Sequence, residues 1–365
     1  MPSFRPFTLL FLEALAIWAL AAGPAAALDP RFRLSQYHSS NWQIENGLPQ
    51  NSAQVLLQSR DGYIWIGTQD GLAQFDGVRF VVFDRANTPA MVRENIRALA
   101  EDTDGTLWIG TDLGLLRYRH GAFTHFGSAD GLSSDQVRSL LVDRDGLLWV
   151  GTERGLSLVK GGRISSAALP ALADIAVTRM AQAADGSILF ATVQGLHRLH
   201  SGRPLERFGV ANGLPDENVL EVFAGRAGDI WVGTATGVAR LAGNRFERKA
   251  LPPSIAGDSV HAIWEDAAGG LWLGLERRGI ARIHGGKVEV YGKAQGFAGN
   301  FIRAFVEDHQ GNLWVGSFDA GVTCLRETPF SGFGRREGLP SDDVQSVFQS
   351  RDGAIWIGMS GGGVT

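Results

Sequence analysis

The chain has 365 residues, 20% of them charged, and a formal net charge of −4. That balance excludes a nucleic-acid or membrane-surface binder built on clustered Lys and Arg. Gly occurs 48 times without a Gly-X-Y period, so it marks turns and not collagen, and the single cysteine, Cys324, leaves packing to hold the fold.

Residues 1–27 differ from the rest. Arg5 precedes an apolar run at 7–22, and the stretch ends in small residues with Ala25 and Ala27 in an A-x-A arrangement. This reads as a secretory signal peptide cut after Ala27. Glu13 inside the run is unusual, and a retained membrane anchor is the alternative, although the run falls short of the ~20 residues a span needs.

From residue 61 onward one phrase recurs: DGYIWIGT at 61–68, DGTLWIGT at 104–111, DGLLWVGT at 145–152 and GDIWVGT at 228–234. Weaker copies stand at 270–274, 311–317 and 352–358, and a degenerate one at 185–192 puts Leu189 in the tryptophan position. The markers Trp65, Trp108, Trp149, Leu189, Trp231, Trp272, Trp314 and Trp356 are spaced 43, 41, 40, 42, 41, 42 and 42 residues apart. A period this long and regular is a repeat architecture.

Within one repeat the pattern predicts strands at 96–101, 107–111, 115–118 and 122–126, joined by tight glycine turns such as Asp104-Gly105. Four short strands per repeat form an antiparallel meander, the blade of a β-propeller, so the fold class is all-β. Each tryptophan, flanked by Ile, Leu or Val, is expected to fill the gap between neighbouring sheets, a burial worth roughly 2–3 kcal/mol. The glycine two residues on (Gly67, Gly110, Gly151, Gly233) is expected to let the next sheet approach. Cys324, in an apolar strand pattern, reads as a buried structural thiol.

Residues 46–67 and 337–358 share GLP, QSRDG and IWIG in register, 291 residues or seven periods apart. The expected organisation is a signal peptide at 1–27, a seven-bladed propeller at 28–336, and the truncated opening blade of a second propeller at 337–365. Residues 28–42 would close the ring by pairing with blade seven. A single eight-bladed ring is the alternative. Gly-Leu loops lead into blades one, three, five and eight, at Gly47, Gly131, Gly213 and Gly338, and Gly296-Phe297 takes that place before blade seven. Residues 361–365 stop inside a repeat, which suggests a fragment of a longer protein.

Eleven residues before each marker lies a position just inside the innermost strand: Gln54, Arg97, Arg138, Thr178, Leu220, His261 and Arg303. Six of the seven are polar. Two readings fit. The ring is either a set of donors at the channel mouth for a carboxylate, phosphate or polyhydroxyl ligand, or each Arg locks to a carboxylate of an adjacent repeat such as Asp102, Asp143 or Asp308. No zinc-binding His spacing, nucleophile elbow or phosphate loop occurs, so no catalytic residue, metal or cofactor is expected, and the D-x-D-G phrases are read as turns.

The stretch IRALAEDTDGTLWIGTDLGLLRY at 96–118, with DGLAQFDGVRF at 70–80, resembles the repeat of the two-component regulator propeller family, and the resemblance runs over 28–365. It implies the periplasmic, ligand-sensing part of an inner-membrane signalling protein that acts as a dimer. The missing output would be a histidine kinase or, alternatively, a diguanylate cyclase. Oligosaccharide or other small-molecule ligands are implied, and no nucleic acid. Two rivals remain: a secreted propeller lyase, for which His261 with Glu221 or Glu265 is the candidate metal-holding pair, and a protein-binding scaffold.

Overall fold

The computed structural model describes residues 28–167, 169–328 and 332–365; the expected signal peptide lies outside them. Each repeat folds locally as its turn chemistry dictates. In blade two the strands are Ile96–Glu101, Leu107–Thr111, Gly114–Arg119 and Ala122–Phe126, hydrogen-bonded in that order. Gly105 turns the first hairpin at φ +76°, a backbone conformation that a Cβ disfavours. The threonine ending the W-x-G-T phrase closes the next turn: Thr111 Oγ1 donates to the Gly114 carbonyl at 3.0 Å, and Thr68, Thr152, Thr192 and Thr234 do the same. The five glycine-led loops each form one turn of 3-10 helix, such as Ser128–Asp130, capped by a left-handed glycine.

Seven such sheets close a ring. The innermost strands of successive blades are Val55–Gln58, Ile96–Glu101, Val137–Val142, Val177–Gln182, Val219–Ala224, Val260–Glu265 and Ile302–Glu307. They lie side by side, and the seventh returns to the first. Blade seven takes its outermost strand from the other end of the chain: His38–Trp42 pairs antiparallel with Gly321–Arg326. Closure of this kind covers the edge that Gly321–Arg326 would otherwise expose. The pairing segment is shorter than the expected 28–42. Leu28, Leu34 and Tyr37 instead pack between blades six and seven, against Trp272, Ile280 and Leu325.

The eighth sheet stands outside this ring, so the eight-bladed alternative is not the arrangement adopted. It has three strands, Val344–Gln349, Ile355–Met359 and Gly363–Val364. Its tryptophan shows why a blade needs a neighbour: Trp356 is 51% exposed, whereas Trp65 is 3% exposed because Met91, Ile96 and Leu99 of blade two cover it.

Two features of the inter-blade packing follow from residue size. A Cβ on Gly67 would lie 2.6 Å from Ile96 Cγ2 of the next blade, and one on Gly110 would lie 2.6 Å from Val137 Cγ1, so glycine is what permits that approach. In blade four Ala191 takes the glycine position, and Leu189 is fully buried against the core shared with blade five. Cys324 is buried opposite Trp314, and burial pushes its thiol up to about 12, which makes it an unreactive packing group. Among the described residues no helix is long and apolar enough to cross a membrane.

Candidate functional site in the central channel

The innermost strands do not run evenly along their partners. In blades two to seven the register slips by one residue, between Ile96 and Ala98, Val137 and Ser139, Val177 and Arg179, Val219 and Glu221, Val260 and Ala262, and Ile302 and Ala304. The residue passed over in each case is the one eleven before the marker: Arg97, Arg138, Thr178, Leu220, His261 and Arg303. A β-bulge bends its strand and re-aims a side chain. Here six bulges in six blades turn six side chains toward the axis. Gln54 takes the seventh place, just ahead of its strand, with its N–H on the Gly67 carbonyl. All seven ring residues line one cavity of about 180 Å³.

Two further residues face the same space and escaped the period-based reading: Arg179 in the cavity wall, and Glu221 in the adjoining chamber of about 240 Å³. They stand ten residues before their markers, where the other blades carry Val55, Ala98, Ser139, Ala262 and Ala304. The signal in the sequence was a basic and an acidic residue in consecutive repeats at a position otherwise small. At a bulge, two successive side chains face similar directions, so both positions reach the channel.

The ring members differ in what they are bound to. Gln54 is buried, and its amide donates to Asn95 Oδ1 at 2.6 Å and to the Ile96 carbonyl at 3.3 Å, which ties blade one to blade two. Thr178 Oγ1 lies 3.1 Å from both the Ala191 and Val219 carbonyls and bridges blades four and five. Arg97 pairs with Asp112, and Arg138 Nε donates to Glu153 Oε2 at 2.6 Å, each within its own blade. Arg179 meets Glu221 of the next blade at 3.3 Å.

These partners correct the interlocking expectation. Asp102, Asp143 and Asp308 do not hold ring arginines. Each accepts two backbone N–H groups of its own turn and the indole N–H of its blade's tryptophan, at 2.9 Å for Trp108, 2.8 Å for Trp149 and 2.7 Å for Trp314. The D-x-D-G phrase therefore makes the turn and also fixes the core tryptophan, a link that the reading of turns alone missed.

Arg303 and His261 form a separate pair. Arg303 Nη1 donates to His261 Nδ1 at 3.2 Å, and the guanidinium sits 5.4 Å above the Phe301 ring. Burial, reinforced by the nearby Arg303 charge, pushes His261 down to about 4, so its ring is neutral at pH 7. Burial lowers Arg303 to about 10, with Arg179 and Arg97 adding repulsion, and it remains cationic. Burial also raises Glu221 to about 7, partly opposed by Arg179. The pair considered for metal binding is not assembled: Glu221 faces Arg179, and Glu265 accepts from the Arg226 backbone. Among the described residues no cluster of His, Cys, Asp and Glu is arranged to hold a metal ion.

Comparison with known proteins agrees with this architecture. The family model of the two component regulator propeller matches residues 47–70, 92–112, 131–154, 296–319 and 338–361. No curated protein matches the sequence. Among solved structures, the extracellular domain of the putative hybrid two component system BT3049 from B. thetaiotaomicron is similar at TM-score 0.72 and 19% identity, over 90% of this chain and 53% of that one. This chain thus spans little more than half of that domain. A catalytically inactive variant of virginiamycin B lyase from Staphylococcus aureus is similar at TM-score 0.65 and 14% identity, over 80% of this chain and 100% of the lyase. PorZ, a bacterial surface component of the type-IX secretion system of Porphyromonas gingivalis, gives TM-score 0.66 and 15% identity over 86% of this chain and 51% of its own. At these identities the likeness is one of fold. The family model thus recognises the repeats of blades one, two, three and seven and of the eighth sheet, and these repeats are of the two component regulator propeller type.

Proposed function

We propose that this chain is the ligand-sensing propeller region of a transmembrane signalling protein, displayed in the periplasm and coupled to a histidine kinase output. A diguanylate cyclase is the alternative output. The family supports a sensor role, and the similar BT3049 structure is the extracellular domain of a putative hybrid two component system. The observation that carries a ligand site is the convergence of the bulge residues on one cavity. Blade-to-blade locking does not account for Arg97 and Arg138, which pair inside their own blades. In this reading the ligand shifts a dimer equilibrium, which it does only through different affinities for the two states.

The test is calorimetric titration of the chain with small anions and oligosaccharides, beside an Arg97→Ala/Arg138→Ala/Arg303→Ala variant. Binding that weakens in a folded triple variant supports the channel as the ligand site; equal binding assigns the ring to structure. A coding sequence that continues past Thr365 into a membrane helix and a kinase or cyclase supports the signalling role. One that ends after further repeats overturns it.

A further inference from the structure

One arginine of the channel has no carboxylate in contact with it. Arg97, Arg138 and Arg179 each contact a carboxylate, namely Asp112, Glu153 and Glu221. Arg303 has none within ion-pair distance among the described residues; its hydrogen-bonding neighbour is the neutral His261. Its Nε–H is buried without a partner. Because His261 accepts at Nδ1, its proton sits on Nε2. That N–H is also buried without a hydrogen-bond partner, 3.6 Å from Glu276 Oε2 and beyond hydrogen-bond length. One cationic charge and two N–H groups without a hydrogen-bond partner are thus gathered at one spot, with the Glu276 carboxylate on the far side of the His261 ring. Leaving buried donors and charge unmatched is costly.

What would match them is defined by chemistry. Arg303 lacks a contacting acceptor-only group with one negative charge, and a guanidinium fork fits a planar carboxylate through two parallel N–H···O bonds. Arg303 stands where the two chambers of the channel meet, and it lines both. The ring chamber, about 180 Å³, is smaller than the ~300–1,000 Å³ typical of pockets that enclose drug-sized ligands. It suits one small acid or one acidic unit, not an enclosed oligosaccharide.

We propose that the junction is a carboxylate-binding site in which Arg303 receives the acid group of a small organic acid or acidic sugar unit, with neutral His261 orienting the guanidinium through Nδ1. The proposal rests on the reading of the channel as the ligand site and narrows its ligand class. The same geometry says what the unliganded protein gains when the charge is removed. Arg303→Gln eliminates a cation that faces Arg179 and Arg97, so this variant is expected to be at least as stable as wild type while losing the ligand, a trade seen where a site is kept for function.

Thermal melting and calorimetric titration of the chain with succinate, glucuronate, glucose and sulfate test this at pH 7 and constant ionic strength. Expected are a raised melting temperature with succinate or glucuronate, no shift with glucose or sulfate, and affinity lower by at least about tenfold in Arg303→Gln, the cost of one charge-assisted contact. Arg303→Lys, which keeps the charge and loses the fork, serves if the Gln variant does not fold, and it too should bind at least about tenfold more weakly. No response of wild type to either carboxylate, with Arg303→Gln melting below wild type, overturns the proposal. Sulfate binding as well as the carboxylates overturns the carboxylate assignment. Glucose binding that persists in Arg303→Gln also overturns it, yet leaves the channel as the ligand site.

Discussion

Trp272 is fully buried, and its indole N–H donates to Asp266 Oδ2 at 2.7 Å. Asp266 stands six residues earlier and is itself only 5% exposed. The same six-residue link joins Trp108 to Asp102, Trp149 to Asp143 and Trp314 to Asp308, and a serine replaces the aspartate for Trp65 and Trp356. Where Leu189 replaces the tryptophan there is no N–H to satisfy, and the position six earlier is Ala183. Partner and ring are absent together in that repeat, as expected for a polar group that must be satisfied when buried. Trp231 departs from the pattern, with Gly225 at the partner position, and it is also less buried than its counterparts within the ring.

Asp266→Ala removes the acceptor and leaves a buried indole donor unmatched, along with the two turn N–H groups that Asp266 holds. The expected loss is about 2–4 kcal/mol, combining the orphaned donor with the weakened turn. Asp102→Ala should cost less, because that site is partly exposed to water. Urea unfolding of both variants checks the order.

Gly110→Ala tests the approach between blades two and three. The added Cβ would stand 2.6 Å from Val137 Cγ1 and 3.2 Å from Ala98 Cβ, closer than such atoms pack. Overpacking of this kind costs about 1–3 kcal/mol. Loss of stability with an unchanged fold by circular dichroism is the expected result, and a neutral outcome would show that the two blades can separate freely.

Ring closure rests on the strand His38–Trp42. Trp42 stacks on Trp314 with ring centres 5.2 Å apart and also touches Phe75 of blade one, so it joins the two ends of the ring. Trp42→Ala should lower stability by about 3–5 kcal/mol, as for other large aromatic truncations. Behind it, Arg282 donates to Tyr37 Oη and the Phe32 carbonyl, both at 2.6 Å, and to Glu289 at 2.9 Å. Proteolysis at residues 28–42 should accelerate in the Trp42 variant before the remaining blades are cut.

Glu221 gives a pH signature. Its folded-state value, about 7, lies above the ordinary carboxylate value, so the folded protein holds this proton more tightly than the unfolded chain. Its contribution to stability is fully present below about pH 4.5 and is lost as pH rises through about 7. The difference is on the order of 3 kcal/mol between the two limits. Glu221→Gln, which keeps an acceptor for Arg179, should therefore gain stability relative to wild type as pH rises from 5 to 8. A constant difference across that range would show that Glu221 titrates as an ordinary surface carboxylate.

Much of this molecule is written in local chemistry. The W-x-G-T strands, the Asp-Gly turns and the period of the marker tryptophans foretold four-stranded blades and their number, because turn preference and side-chain burial act within a few residues and repeat with the chain. Counting back from each marker even located Gln54, Arg97, Arg138, Thr178, His261 and Arg303 around one axis. What counting could not show is the bulge, which adds a residue to the inner strand and turns Arg179 and Glu221 to the channel as well. Nor could it show that Asp102 belongs to Trp108 and not to an arginine, or that residues 28–37 pack between blades six and seven. Those choices depend on distances between segments remote in sequence, where desolvation and pairing are settled only once the ring has closed. Closure also brought His261 of blade six against Arg303, which has no carboxylate within ion-pair distance among the described residues.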